Sequence, residues 1–200
     1  FFGSPYFFRL IRTTFLLSVY NIVFSFPVPL AFAILLSEVR HRWYQRTAQT
    51  VSYLPYFISM VVAMGMVVNF LNPQEGILNV ALEKMGMTPV DFINNARWFR
   101  PVYIVSGIWQ TFGFNAILYL AAITSIDPQL FEAATIDGAT QLQKIRHITL
   151  PSIVPTIVIL LILNLGNMLN VGFEKIILLY TPANYETADV ISTYVYRRGL

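Results

Sequence analysis

The sequence predicts an all-α, polytopic membrane protein, and three observations carry that prediction. Hydrophobic residues make up 56% of the chain and charged residues 12%, whereas soluble domains carry roughly 45–50% apolar and 25% charged residues. The charges divide the chain into four long uncharged runs, at residues 13–37, 47–74, 101–126 and 147–173. Each exceeds the roughly 20 residues that a helix needs to cross about 30 Å of hydrocarbon. Prolines fall inside these runs, at Pro27, Pro29, Pro55 and Pro155. In a soluble helix each would cost about 3 kcal/mol, but a membrane helix tolerates them as kinks.

A single apolar run would also suit the buried helix of a large soluble core. Four in 200 residues would not, and four transmembrane helices are expected. In hydrocarbon the backbone must satisfy its own hydrogen bonds, so uninterrupted helices are the expected form. Pro27 and Pro29 are close enough to bend or locally break the first. Tyr and Trp gather near run ends, at Trp43, Tyr44, Tyr53, Tyr56, Trp98 and Tyr103, as an interfacial aromatic belt does.

The loops orient the chain. Residues 38–46 hold Arg40, Arg42 and Arg46, which places this short loop in the cytoplasm under the positive-inside rule. Alternation then puts residues 72–100 outside and residues 127–146 inside. Within the external stretch, residues 77–85 read as a short amphipathic helix at the interface. The aromatic and basic opening, residues 1–12, reads as a segment on the membrane surface. With no signal-peptide pattern at Phe1, the sequence reads as a fragment of a longer chain, one transmembrane domain over residues 1–200.

Other chemistry is sparse. There is no cysteine, and the two histidines, His41 and His147, lie far apart, so neither disulfides nor a metal site are expected. A net charge of +3 in short clusters lacks the basic stripe that nucleic acid requires. No phosphate-cradling Gly-Lys-Ser/Thr loop, metalloprotease motif or nucleophile elbow occurs. Enzymatic activity and cofactors are therefore not expected.

The loop at residues 127–151 is the most informative stretch. Asp127 followed by Pro128 is a helix start, Asp as N-cap and Pro at the first helical position. Gly138 ends that helix, and a second short helix is expected over residues 140–147 before Pro151 opens the next run. A helix-turn-helix with apolar Leu130, Phe131, Ala133, Ala134 and Ile136 thus projects from the membrane, and an apolar face outside the bilayer needs a protein partner.

This loop resembles the EAA motif of the permease subunits of binding-protein-dependent ABC importers. The motif runs Glu-Ala-Ala, three residues, Gly, nine residues, Ile, one residue, Leu-Pro. Here that is Glu132, Ala133, Ala134, Gly138, Ile148, Leu150 and Pro151, with Asp137 before the glycine. The sequence looks like the second through fifth helices of a six-helix permease. Residues 72–79 and 173–199 resemble the oligosaccharide branch of that family.

The resemblance implies a multi-pass protein of the bacterial plasma membrane. A cytoplasmic ABC ATPase dimer, a second and non-identical permease subunit and an extracytoplasmic solute-binding protein would be its partners. Residues 132–138 would sit in a groove of the ATPase and couple nucleotide state to the helices. A sugar or oligosaccharide is the solute it implies, with amino-acid, phosphate or metal-ion import as alternatives. A membrane enzyme or channel subunit lacks its expected acidic or His cluster or ring of charge.

Polar residues within the runs are candidates for the solute path: Asn69, Trp109, Gln110, Asn115, Asn164, Asn167 and Asn170. The last three recur every third residue, on one helical stripe. Polar groups facing lipid are costly, so these should face protein or water. Recognition of sugar hydroxyls and interhelical hydrogen bonding both remain open for each.

Overall fold

The computed structural model describes residues 6–168 and 170–199, and among them the chain is helical without strands. Among the described residues, three helices are long and apolar enough to span a membrane: α1 (Phe7–Ser37), α5 (Ala96–Thr124) and α7 (Gln141–Gly166). A fourth apolar stretch is broken into α2 (Arg42–Phe57) and α3 (Met60–Phe70), which meet at 102° and are long and apolar enough to span only when taken together. Between the spans lie α4 (Ile77–Lys84) and α6 (Pro128–Ile136), and after them α8 (Phe173–Leu179), α9 (Tyr185–Ala188) and α10 (Ile191–Gly199).

The differences from expectation have local causes. The chain is already helical at Phe7, so residues 7–12 form the first turns of a span and not a separate surface segment; residues 1–5 lie outside the described residues. The second span is not uninterrupted. Pro55 lacks an N–H, the chain tightens into a 3₁₀ turn over Leu54–Phe57, and Ser59 then caps the new helix by accepting from Val62 N–H at 3.4 Å.

Pro27 and Pro29 do not break α1. A π turn over Asn21–Ser25 precedes them, and a second, Ile145–Thr149, precedes Pro151 in α7. A proline clashes with the carbonyl four residues back, which for Pro27 is Val23 and for Pro151 is His147. The wider π turn accommodates that carbonyl. The short helix expected before Pro151 is therefore continuous with the span behind it. That helix stops at Gly166, several residues before the apolar run ends.

The chain divides into two compact units. One comprises Phe1–Ser25, Phe57–Gln110 and Asn167–Leu200. Its core holds Leu17, Met64, Phe99, Ile176 and Val190. Outside its spans, the Asn79 side chain donates to Asn72 and Val90 carbonyls at 3.0 Å each and accepts from Val90 N–H at 2.8 Å. That buried amide ties α4 to the loop behind it.

The other unit comprises Phe26–Tyr56 and Thr111–Gly166. Its core sets Ala33 and Ala116 beside Tyr119, Ile123 and Ile153. Small residues let helices approach where lipid supplies no hydrophobic drive. Gly113 is the extreme case, because a Cβ there would overlap the Ser52 backbone carbonyl.

Candidate functional site

The loop from residue 127 to residue 151 folds as a capped helix-turn-helix within the second unit. Asp127 accepts from Gln129 N–H at 2.9 Å, and Pro128 occupies the first turn of α6. At the other end Gly138 has φ +74°. Its N–H donates to Thr135 O at 3.1 Å, and Ala139 N–H donates to Ala134 O at 2.9 Å. These two bonds around a left-handed residue make a Schellman motif.

Thr140 then caps α7 in a capping box, accepting from Gln143 N–H while its own N–H donates to Gln143 Oε1 at 2.7 Å. Lys144 Nζ donates to Thr135 Oγ1 at 2.7 Å and ties the two helices together. Gln141 donates to the Glu38 carboxylate, fastening this loop to the end of α1. The turn is therefore set by hydrogen bonds, and its apolar side chains are left over.

Those side chains face outward. Ile136 is 87% exposed, Leu142 73% and Leu130 49%. Glu132, Ala133, Asp137 and Gly138 are exposed, and Ala134 is half-buried. Ile148 and Leu150 are half-buried where α7 enters the unit, while Pro151 is exposed just beyond the π turn. A cavity of about 360 Å³ opens between the helices, lined by Ala134, Asp137, Gly138, Lys144 and His147 among others. The motif thus has two parts: an exposed, apolar α6 fit to be gripped, and a root in α7.

The solute-path candidates are not gathered into one site. Gln110 is buried, and its Nε2 donates to Ile58 O at 3.3 Å, one of the carbonyls released by the α2–α3 break. That bond supplies a donor to one end of the break. Trp109 packs on the core of the first unit and lines an apolar cavity of about 370 Å³ with Met66, Phe70 and Val105.

Asn69 and Asn115 are exposed. Asn164 is exposed and donates to Leu160 O of its own helix at 2.8 Å. Asn167 and Asn170 lie beyond Gly166, where α7 has ended. The expected asparagine stripe is therefore corrected: no single helix carries all three.

Two features escaped the sequence reading. Lys175 is 5% exposed, donates to Tyr103 O at 2.5 Å and lies 4.4 Å from the Tyr103 ring centroid. Burial pushes its ammonium down to about 7. Asp189 is 2% exposed and gathers Thr193, Arg197 and Arg9. The spacing of Asp189, Thr193 and Arg197, four and eight residues on, was the available signal, since such residues share a helix face.

Over residues 25–197 the chain matches the family described as the binding-protein-dependent transport system inner membrane component. The chain belongs to this family. As an inner membrane component it is 43% identical, across its whole length, to the polygalacturonan/rhamnogalacturonan transport system permease protein YteP of Bacillus subtilis (strain 168). Protein LplB of the same organism is 40% identical. The chain spans 62% and 63% of the length of these two relatives. It also superposes on a chain of a bacterial ABC transporter involved in the import of the acidic polysaccharide alginate, with a TM-score of 0.97 and 52% identity over all of this chain and 70% of the other. The same fit, with a TM-score of 0.96 and 52% identity over 99% of this chain and 69% of the other, is found to the alginate transporter in complex with a periplasmic protein bound to an alginate pentasaccharide. An inner membrane component of this kind is a multi-pass protein of the bacterial plasma membrane.

Proposed function

We propose that this chain is a permease subunit of an ABC importer for acidic oligosaccharides, and that α6 couples it to a separate cytoplasmic ATPase dimer. The observation that carries the coupling role is the exposed α6 with its Schellman turn at Gly138. Glu132, Ala133, Ala134, Asp137 and Gly138 present the docking face. Ile148, Leu150 and Pro151 root it in α7, so movement of the dock is passed to a span. The turn costs the docked partner no ordering entropy, because capping and tie bonds have already fixed it.

The solute class is supported by the relatives, whose names and descriptions speak of polygalacturonan, rhamnogalacturonan and alginate. All three are, or contain, chains of uronic acids. A second, non-identical permease subunit would complete the path, and an extracytoplasmic binding protein would deliver the solute. ATP binding and solute delivery then bias one two-state equilibrium from opposite sides of the membrane. Catalysis of ATP hydrolysis belongs to the partner subunit, and this chain contributes the path.

The test is reconstitution with the cognate ATPase and binding protein, reading solute-stimulated ATP hydrolysis. Ala133→Asp or Ala134→Asp places an unpaired charge in the dock, which costs several kcal/mol against coupling energies of about 1–3 kcal/mol. Stimulation should vanish while the spans stay inserted. Cysteine at position 133 should crosslink to the ATPase, against a background free of native cysteine. An ATPase that neither copurifies nor crosslinks would overturn the assignment.

A further inference from the structure

Two arginines converge on one buried carboxylate in the first unit, and a third, Arg198, lines the same cavity. Arg197 donates to Asp189 Oδ2 at 2.5 Å, Arg9 stands 3.9 Å from the same oxygen, and Thr193 Oγ1 donates to Asp189 Oδ1 at 2.8 Å. Each guanidinium also lies over a tyrosine ring: Arg9 over Tyr6 at 4.8 Å, Arg197 over Tyr185 at 5.0 Å and Arg198 over Tyr194 at 5.6 Å. Together they frame an open cavity of about 440 Å³, within the roughly 300–1,000 Å³ of small-molecule sites.

The cluster carries more donors than it can use. Three guanidiniums hold roughly fifteen N–H groups, while a carboxylate accepts at about four positions, and Thr193 already takes one. Among the described residues, Asp189 is the one carboxylate lining the cavity; Glu186 is exposed and does not line it. Arg9 Nε is buried without a hydrogen-bond partner. Stacking on the rings and pairing with Asp189 hold the guanidinium planes, so a ligand would not have to order them.

The positive-inside reading puts residues 72–100 on the extracytoplasmic side. The cluster's segment is tied to that stretch: Thr187 Oγ1 donates to Ala96 O at 2.7 Å and Asn184 Nδ2 to Ile93 O at 2.9 Å.

We propose that this cavity is a subsite for the carboxylate of a uronic acid unit, which it engages as an acidic oligosaccharide enters from the extracytoplasmic side. The planar carboxylate matches the guanidinium fork and takes two parallel N–H bonds. A sugar without the carboxylate leaves the surplus donors to water. This deepens the acidic-oligosaccharide reading above and rests on it.

The experiment uses the complete importer in phosphatidylcholine vesicles, which offer the cluster no net-anionic headgroup, and compares import of trigalacturonate with that of its methyl ester. Arg198 is the residue to change, because among the described residues it is exposed and pairs with no carboxylate. Arg198→Gln should lower the preference in kcat/KM for the acid over the ester roughly tenfold, through KM, as loss of a charge-assisted bond predicts. Arg198→Lys should keep part of the preference, and Arg9→Gln should repeat the loss. An unchanged preference in all three variants overturns the subsite. So does an equal loss in affinity of the sugar-free binding protein for the permease, which would assign the cluster to protein docking. If the wild-type importer moves acid and ester equally, the subsite falls and the importer stands. If it moves neither, the acidic-oligosaccharide reading itself falls.

Discussion

Gly138 offers a sharp test of the coupling turn. It has φ +74°, and a Cβ built there meets nothing within 4 Å. A substitution therefore acts through the backbone and not through a clash inside this chain. Placing an L-residue in the left-handed region costs about 1–2 kcal/mol, with β-branched residues at the upper end, and Asn pays least. Coupling energies are about 1–3 kcal/mol, so the strain in Gly138→Val is of the same size as the signal that the turn transmits. About 2 kcal/mol corresponds to roughly a 30-fold change. Transport by reconstituted importer should fall by about that factor in Gly138→Val, by about fivefold in Gly138→Ala and least in Gly138→Asn, at equal amounts of membrane protein. The order matters more than the sizes. If activity follows side-chain volume, with Ala best and Asn no better than Val, the partner's surface and not the backbone turn decides, and the reasoning fails. Wild-type transport in Gly138→Val would refute it outright.

Other expectations follow from contacts described above. Gly113→Ala forces a Cβ onto the Ser52 carbonyl and should destabilise by about 3 kcal/mol, read as a lowered thermal midpoint in detergent; an unchanged midpoint would show that the helices can separate freely. Asn79→Ala removes three hydrogen bonds from a buried amide and strands their partners at about 1–3 kcal/mol each, so limited proteolysis should cut residues 72–95 first, whereas unchanged resistance would refute the staple. Lys175 has its ammonium pushed down to about 7 by burial, from an ordinary value of 10.5. Between those two values the unfolded chain holds a proton that the folded one has released, so stability should rise with pH across that window and sit at its lowest below about 7. Thermal midpoints taken from about pH 6 to 9 should show this rise, and Lys175→Met should flatten it; an equal rise in the variant would point to another group.

Much of this was legible in the residues. Long uncharged runs read correctly as spans because hydrocarbon excludes charge and backbone ends alike. Asp127-Pro128 and Gly138 read correctly as the limits of α6, because capping is local chemistry. What failed was whatever depends on neighbours. Pro55 breaks its span and Pro27 does not, although both look alike in sequence; the difference lies in whether the preceding turn widens or the chain caps afresh at Ser59. Asn164, Asn167 and Asn170 keep a helical spacing that the chain abandons at Gly166. Asp189 and Arg9 stand 180 residues apart, and no local pattern announces such a pair.

The continuity of α7 through its π turn has a mechanical meaning. Its 26 residues make a helix about 39 Å long, unbroken from the end that carries the capping box to the end at Gly166. A rod this long works as a lever. Tilting it by about 5° sweeps its far end through about 3 Å, which is the thickness of a layer of hydrogen bonds. On the proposed coupling role, the docking face need not pass its movement through the protein residue by residue. A small rocking at Gln141 arrives at Asn164 and Gly166 as a displacement about as long as a hydrogen bond.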